Sequence, residues 1–247
     1  MTVPKFHLIG HTAAIIYAAA TLHDAGYPLL PYPDPEATHL ILPVPSFEPD
    51  GSVRGGGDIL QILALLPKDI TIIGGNLDRP ELALYRKIDL LKDPYYTAAN
   101  AGITAHCAVK LAMNKLPATF DGQPVLVIGW GRIGKCLARL LQGMGAHVTV
   151  AARKETDRAL LSALGYGAVD TEAIDTSHYR VVFNTVPVMT VPFCSGNALK
   201  IDRASKPGIG GTDVIWARGL PGKDTPESSG VLIGKTVLRL MAREGIK

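Results

Sequence analysis

Short apolar runs alternate with amphipathic stretches along most of the chain. Phe6–Ile9, His39–Val44 and Ile70–Ile73 read as strands, the second bounded by Pro43 and Pro45. Thr12–Ala25 has helical spacing and stops at Gly26, Ile59–Leu66 reads as a short apolar helix, and Glu81–Leu91 reads as a helix closed before Pro94. Strands apolar on both faces alternating with helices predict a parallel sheet covered on each side. Gly10 also lies between a strand and a helix, but HTAA follows it without further glycines, which suits a flavodoxin-like connection better than a cofactor turn.

Asn100–Leu116 has helical periodicity and links this first set of elements to a second. There, Val125–Ile128, His147–Val150, Arg180–Phe183 and Ala198–Asp202 read as strands, and Asp157–Leu164 as a helix closed by Gly165. The expected fold class is therefore α/β, with two Rossmann-like domains built on parallel sheets. The first covers residues 1–98, a linker helix 99–119, and the second 120–222.

The strand Val125–Ile128 runs into Gly129-Trp130-Gly131-Arg132-Ile133-Gly134, and Ile133, Leu137, Leu140 and Leu141 form a helical stripe after it. Gly129 permits a tight turn, Gly131 lets backbone approach a pyrophosphate, and Gly134 allows helix and strand to pack closely. The GxGxxG spacing gains its meaning from that strand and helix context. These six residues are the expected cofactor-binding turn, with the first helical N–H groups facing the diphosphate.

An NAD site usually carries an acidic residue about 20 residues after the glycines, to accept from the ribose 2′-hydroxyl. Here the second strand runs into Ala151, Ala152, Arg153 and Lys154. A guanidinium and an ammonium there suit a 2′-phosphate, so NADP is the expected cofactor. The alternative is a solvated basic turn, with NAD bound without its usual partner.

The 247 residues are 47% hydrophobic with a formal net charge of +3, enough for a large core and without a basic run for nucleic acid. Residues 11–20 are apolar but lack a basic region before them, and no run reaches the length of a membrane span, so a cytoplasmic protein is expected. Cys107, Cys136 and Cys194 are far apart, without zinc-ligand spacing, and read as reduced thiols rather than a metal site. Pro49–Gly57 has the most loop-like composition and reads either as a lid over substrate or as a disordered surface loop.

Ligands of an open α/β sheet bind outside the carboxyl ends of its strands. Asn184, Thr185, Val186 and Pro187 leave one such end and are expected to border the nicotinamide, as is the loop from Ala204 to Gly208 at the next.

The ordered set GWGRIG, VTVAAR, FNTVPVM, IDRASKPG and the GTD at Gly211–Asp213, followed by GLPGKDTPESSG, resembles the A-subunit family of dipicolinate synthase. The resemblance is good from about Tyr95 onward and holds only in pattern before it. It implies an NADP-dependent oxidoreductase that oxidises dihydrodipicolinate to dipicolinate in bacterial sporulation, together with a flavoprotein-like B subunit. It further implies two Rossmann-like domains with a cleft between them and a C-terminal helix, residues 223–247, returning to the first domain. A homo-oligomer is also expected.

That chemistry asks the protein to orient two planar rings and to bind two carboxylates. Lys206, Arg203, Ser205 and the Gly208 backbone are candidate carboxylate binders on one side, and Asn100, Thr104 and His106 of the linker helix on the other. His106 and Lys206 are the candidate catalytic residues, an imidazole being able to act as acid, base or carboxylate partner near neutral pH. A packed histidine and a surface lysine are the alternatives. His106 and Cys107 stand where the resemblance implies an acidic residue, which leaves two further readings open. One is a catalytically idle nucleotide-binding subunit that recruits or regulates the partner; the other is a D-2-hydroxyacid-dehydrogenase-like enzyme with another substrate.

Overall fold

The computed structural model describes residues 3–192, 196–211, 213–217 and 219–243, so Cys194, Thr212 of the GTD motif and the end of the last expected segment lie outside the described residues. Contacts divide the chain into two units, residues 1–100 with 221–247, and residues 101–220. Each is an α/β unit around a parallel sheet.

The first unit begins β1 (Phe6–Leu8), α1 (Ala13–Asp24), β2 (Leu29–Leu30), β3 (His39–Ile41), α2 (Ile59–Leu63), β4 (Thr71–Gly74), β5 (Arg86–Asp89) and the start of α3 (Pro94–Met113). Its sheet order β2-β1-β3-β4-β5 is the doubly wound order of flavodoxin-like folds. The apolar runs occupy the middle of that sheet, where Leu40, Ile41 and Ile72 are fully buried.

The expected helix over 81–91 is not formed. A single 3₁₀ turn at Pro80–Leu82 is followed by β5, which pairs in parallel with β4 through Thr71↔Arg86 to Gly74↔Asp89, and a second 3₁₀ turn follows at Leu90–Lys92. Sheet pairing overrides local propensity here, and the Asp89 carboxylate fixes the outcome by accepting from the N–H groups of Leu77 and Leu91. The linker helix also starts earlier than its periodicity suggests. Asp93 accepts from the Tyr96 N–H at 2.7 Å and Pro94 fills the first helical position, a standard N-terminal cap.

Pro49–Gly57 is anchored to the first unit through Val53. Val53 is buried among Leu40, Ile59 and Ile62, and its N–H donates to the Gly57 carbonyl at 2.7 Å, so the segment is a folded plug within the first unit.

The second unit contains β6 (Pro124–Ile128), α4 (Arg132–Gly143), β7 (His147–Ala151), α5 (Glu155–Ala163), β8 (Gly167–Val169), β9 (Val181–Asn184), β10 (Leu199–Asp202) and β11 (Ile215–Trp216). Its order, β11-β10-β9-β6-β7-β8, reverses direction at β6 and β9, which makes the carboxyl end of β6 the topological switch point. Val125, Leu126, Val127 and Ile128 are each fully buried between helices on one face and loops on the other. The strands β2, β8 and β11 escape a periodicity reading because two or three residues carry no period.

After a short helix α6 (Leu220–Asp224), the last helix α7 (Pro226–Arg243) packs along α1 in the first unit. The glycine pair Gly230 and Gly234 makes this close approach possible. A Cβ on Gly230 would lie 2.2 Å from the Ala14 carbonyl oxygen, and one on Gly234 would lie 2.6 Å from Thr21 Cβ. Alanine favours a helix by about 1 kcal/mol over glycine, but a clash with backbone cannot be relieved by turning a side chain, and overpacking costs about 1–3 kcal/mol. Gly230→Ala will therefore lower the melting temperature by several degrees in a thermal unfolding scan, opposite to the sign that helix propensity alone predicts.

Candidate functional site

The glycine turn lies where the strand order reverses. Gly129 has φ +102°, a conformation open to glycine, and a Cβ there would meet Val186 Cγ2 at 2.6 Å and Thr185 Oγ1 at 2.7 Å. Thr185 secures the turn by donating its hydroxyl and its N–H to the Ile128 carbonyl, at 2.8 and 3.0 Å. A Cβ on Gly134 would stand 2.0 Å from the Gly129 carbonyl oxygen, so helix α4 touches the turn as closely as backbone allows. Gly131 differs from both, since nothing lies within 4 Å of its Cβ position.

That open space faces the start of α4. Gly131 is the N-cap and offers no side chain, and the first intrahelical bond runs from the Lys135 N–H to the Gly131 carbonyl at 2.9 Å. The N–H groups of the preceding turn, at Arg132, Ile133 and Gly134, are the ones a helix start leaves for an anion. A cradle that a Cβ would fill, next to a helix N-terminus, fits a dinucleotide diphosphate.

A cavity of about 690 Å³ continues from this turn along the carboxyl end of β7, lined by Gly129, Trp130, Arg153, Lys154 and Val186 among others. The indole of Trp130 stands edge-on to Tyr166 at 5.9 Å between centroids, and the Lys135 ammonium lies 5.6 Å over its ring. Arg153 and Lys154 are both exposed at the rim. The turn that carries them is held from below by Arg158, which donates to the carbonyls of Ala152 and Arg153 at 2.8 Å each and pairs with Asp170 at 2.6 Å. Two carboxylates, Asp157 and Glu172, line the same cavity.

Several expected contacts are placed differently. Asn184 does not present its amide to a ligand: it is fully buried, donating to the Val186 carbonyl at 2.9 Å and to Asp202 Oδ1 at 3.0 Å while accepting from the Val186 N–H. The Gly208 N–H is likewise consumed, by Asp202 Oδ2 at 2.6 Å, so the Gly208 donor is not open to a carboxylate. Pro187 is exposed and outside the lining, whereas Val188, Met189 and Thr190 line the cavity beside Arg153 and Lys154.

On α3, Asn100 is half-buried, Thr104 is buried and His106 is exposed. Residues four apart share a helix face and residues two apart stand about 200° around the axis, so Thr104 and His106 leave opposite sides and cannot meet one substrate together. Ser205 and Lys206 are exposed at the carboxyl end of β10, while Arg203 is half-buried and its N–H donates to the Asn184 carbonyl at 2.8 Å.

The residue that sequence reasoning missed is Asp202, which is fully buried and organises this whole end of the sheet. A second carboxylate, Asp213, receives both of its bonds from the buried Lys200 ammonium, at 2.8 and 3.0 Å, and those bonds hold it below the usual carboxylate range. The sequence signal for both was available in part, as an aspartate and a lysine inside an otherwise apolar strand.

Residues 88–190 match the family model described as D-isomer specific 2-hydroxyacid dehydrogenase, NAD binding domain. The chain is 27% identical over 183 residues to the A subunit of dipicolinate synthase from Bacillus subtilis, an alignment that covers 67% of this chain and spans 56% of the length of that relative. In fold it matches the crystal structure of the dipicolinate synthase A chain from Bacillus subtilis with a TM-score of 0.79 at 22% identity, covering 98% of this chain and 97% of that one. The corresponding structure from Bacillus halodurans gives 0.80 at 20% identity, covering 98% and 99%. The resemblance read from the motifs thus holds in sequence and in fold, and the family match supports a nicotinamide dinucleotide as cofactor. No described helix is long and apolar enough to cross a membrane.

Proposed function

We propose that this chain is an NADP-dependent oxidoreductase of the dipicolinate synthase type, oxidising dihydrodipicolinate in sporulating bacteria in concert with a flavoprotein-like second subunit. The observation that carries the reading is the glycine turn: a Gly129 in the positive-φ region, a Gly134 pressed onto the Gly129 carbonyl and an open space over Gly131. When bound, the nicotinamide would accept a hydride from a ring carbon while a proton leaves the neighbouring ring atom, so that the substrate ring becomes aromatic. The α4 N-terminus holds the diphosphate, and Arg153 with Lys154 takes the 2′-phosphate. Lys206 and Ser205 bind a substrate carboxylate from the carboxyl end of β10, at the position where open α/β sheets place their ligands.

Asp157 and Glu172 in the same cavity favour a second cofactor reading, in which a carboxylate accepts from the ribose hydroxyl and NAD is the ligand. Both readings use the same glycine turn. They part at the relative affinity of the two dinucleotides.

Formation of reduced nicotinamide from dihydrodipicolinate and NADP, followed by absorbance with and without candidate flavoprotein partners, tests the activity. Turnover supports the enzyme; dinucleotide binding without turnover under any of these conditions makes the chain an idle nucleotide-binding subunit. Lys206→Ala will weaken pyridine dicarboxylate binding by about one to two orders of magnitude, the equivalent of one charge-assisted hydrogen bond of roughly 1.5–3 kcal/mol. NADP affinity will stay close to that of the parent, because Lys206 is outside the dinucleotide cavity. Parent and variant binding the dicarboxylate equally, by calorimetry, would remove Lys206 from the site.

A further inference from the structure

We propose that the buried Asn184–Asp202 pair transmits occupancy of the nucleotide cavity to the loop Arg203–Gly208, which makes Asp202 a positioning residue for Ser205 and Lys206. The inference rests on the nucleotide reading of the cavity. Strands β9 and β10 are parallel neighbours in register, with Asn184 opposite Asp202 at their last residues. The loop leaving β9 lines the cavity through Val186, Val188, Met189 and Thr190; the loop leaving β10 carries Ser205 and Lys206.

The two loops are tied together at both ends. Asn184 holds the start of the first by bonding both the N–H and the carbonyl of Val186, and donates its remaining amide N–H to Asp202 Oδ1. Asp202 holds the second: Oδ1 accepts from the Ala204 N–H at 2.9 Å, and Oδ2 from those of Gly208 and Ile209 at 2.6 and 3.1 Å. The Gly208 carbonyl then returns to the first loop, accepting from the N–H groups of Thr190 and Val191 at 2.9 and 3.1 Å, and the Gly210 N–H donates to the Val191 carbonyl.

Because the two loops share these bonds, an opening of one breaks the contacts that hold the other. A Cβ on Gly208 would lie 2.4 Å from Asn184 Nδ2 and 2.7 Å from the carbonyl oxygens of Val186 and Val188, so the loops meet backbone to backbone. A nucleotide that seats against Val188–Thr190 fixes Gly208 and Asp202 by the same contacts. Ser205 and Lys206, exposed between the clamped Ala204 and Gly208, are then held at both ends. Coupling of this kind is reciprocal: whatever the nucleotide gains from the ordered loop, a carboxylate bound at Lys206 returns to the nucleotide.

Among the described residues, every partner of the Asp202 carboxylate is an N–H donor, which makes Asp202→Asn a sharp probe. The shape is kept, but whichever way the new amide turns, its NH₂ faces two donors. The readout is hydrogen exchange, resolved by mass spectrometry, on the full chain with adenosine 2′,5′-bisphosphate or ADP at saturation; both lack the nicotinamide half. In the parent, amides at Gly129–Gly134 and at Ala204, Gly208 and Ile209 will exchange more slowly with ligand, the latter group by about fivefold or more. In Asp202→Asn, protection by ligand will persist at the glycine turn and vanish at residues 204–209.

Asn184→Ala cuts the same link from the other side and gives the same split if Asp202→Asn does not fold. Protection at Gly129–Gly134 without any change at 204–209 in the parent overturns the coupling and leaves the cofactor reading standing. So does full protection at 204–209 in both variants. Absence of protection at the glycine turn with either nucleotide overturns the cofactor reading and the coupling with it.

Discussion

Gly131→Ala will melt where the parent melts and yet bind dinucleotide roughly a hundredfold more weakly, whereas Gly134→Ala will lose both affinity and stability. The difference follows from what each new methyl group meets. At Gly131 the backbone has φ −80°, which alanine adopts freely, and no atom lies within 4 Å of the added carbon. Alanine makes a weaker N-cap than glycine, and the stiffer unfolded chain it gives offsets that loss. The methyl group does, however, occupy the space through which a diphosphate approaches the first turn of α4, and displacing the phosphates from even two N–H donors costs about 3–6 kcal/mol at 1.5–3 kcal/mol each, before any compensating shift.

At Gly134 the methyl group would stand 2.0 Å from the carbonyl oxygen and 3.0 Å from the carbonyl carbon of Gly129. Both are backbone atoms of a turn already pinned by Thr185, so α4 must move away from β6. Overpacking of that kind costs about 1–3 kcal/mol in stability, and the displaced helix start no longer faces the ligand. Thermal unfolding and a dinucleotide titration on both variants give the comparison. Parent-like affinity in Gly131→Ala would mean that the phosphates do not pass over this turn, and the cofactor reading would fall with it.

Much of the fold is legible in the chain because buried parallel strands have a blunt signature. Val125–Ile128 and Leu40–Leu42 are apolar at every position, since helices or loops cover both faces of each sheet. The glycine turn is legible for a related reason: Gly129 and Gly134 each answer a separate steric demand of the fold, on the dinucleotide reading Gly131 answers that of the ligand, and these demands recur at fixed spacing. Glu81–Leu91 was misleading because its leucines and charges have helical spacing while its fate was decided by β4, an open edge that needed a partner. Pairing across the sheet is not written in the local pattern.

The site was less legible than the fold, and for a chemical reason. Polar residues at the carboxyl ends of strands are equally suited to binding ligands and to satisfying the backbone of the loops that start there. Asn184 and Gly208 read as ligand contacts and turn out to be consumed by the loops, while Asp202, eighteen residues from Asn184 in the chain, is what brings them together. Nothing in sequence spacing pairs those positions; the register of β9 with β10 does. Thr104 and His106 are a different case, since their separation on a helix already placed them on opposite faces.

Arg153→Asp will reverse the choice of dinucleotide, moving the ratio of NADP to NAD affinity by about two orders of magnitude or more. The guanidinium stands at the rim of the cavity on a turn whose carbonyls at Ala152 and Arg153 are held by Arg158, so the substituted side chain starts from the same backbone position. On the NADP reading, removing the arginine forfeits a charge-assisted bond to the 2′-phosphate worth about 1.5–3 kcal/mol. The new carboxylate adds repulsion toward that phosphate, and it gains an acceptor for the ribose hydroxyl of NAD. Lys154 remains beside it and will hold back part of the change as a point charge. Because both cations are exposed, the parent's preference for NADP will also shrink as ionic strength rises. Calorimetric titration of each dinucleotide against parent and variant, at low and high salt, measures all of this. A parent that binds NAD more tightly than NADP sinks the 2′-phosphate assignment and transfers the ribose to Asp157 or Glu172, the carboxylates that share the cavity.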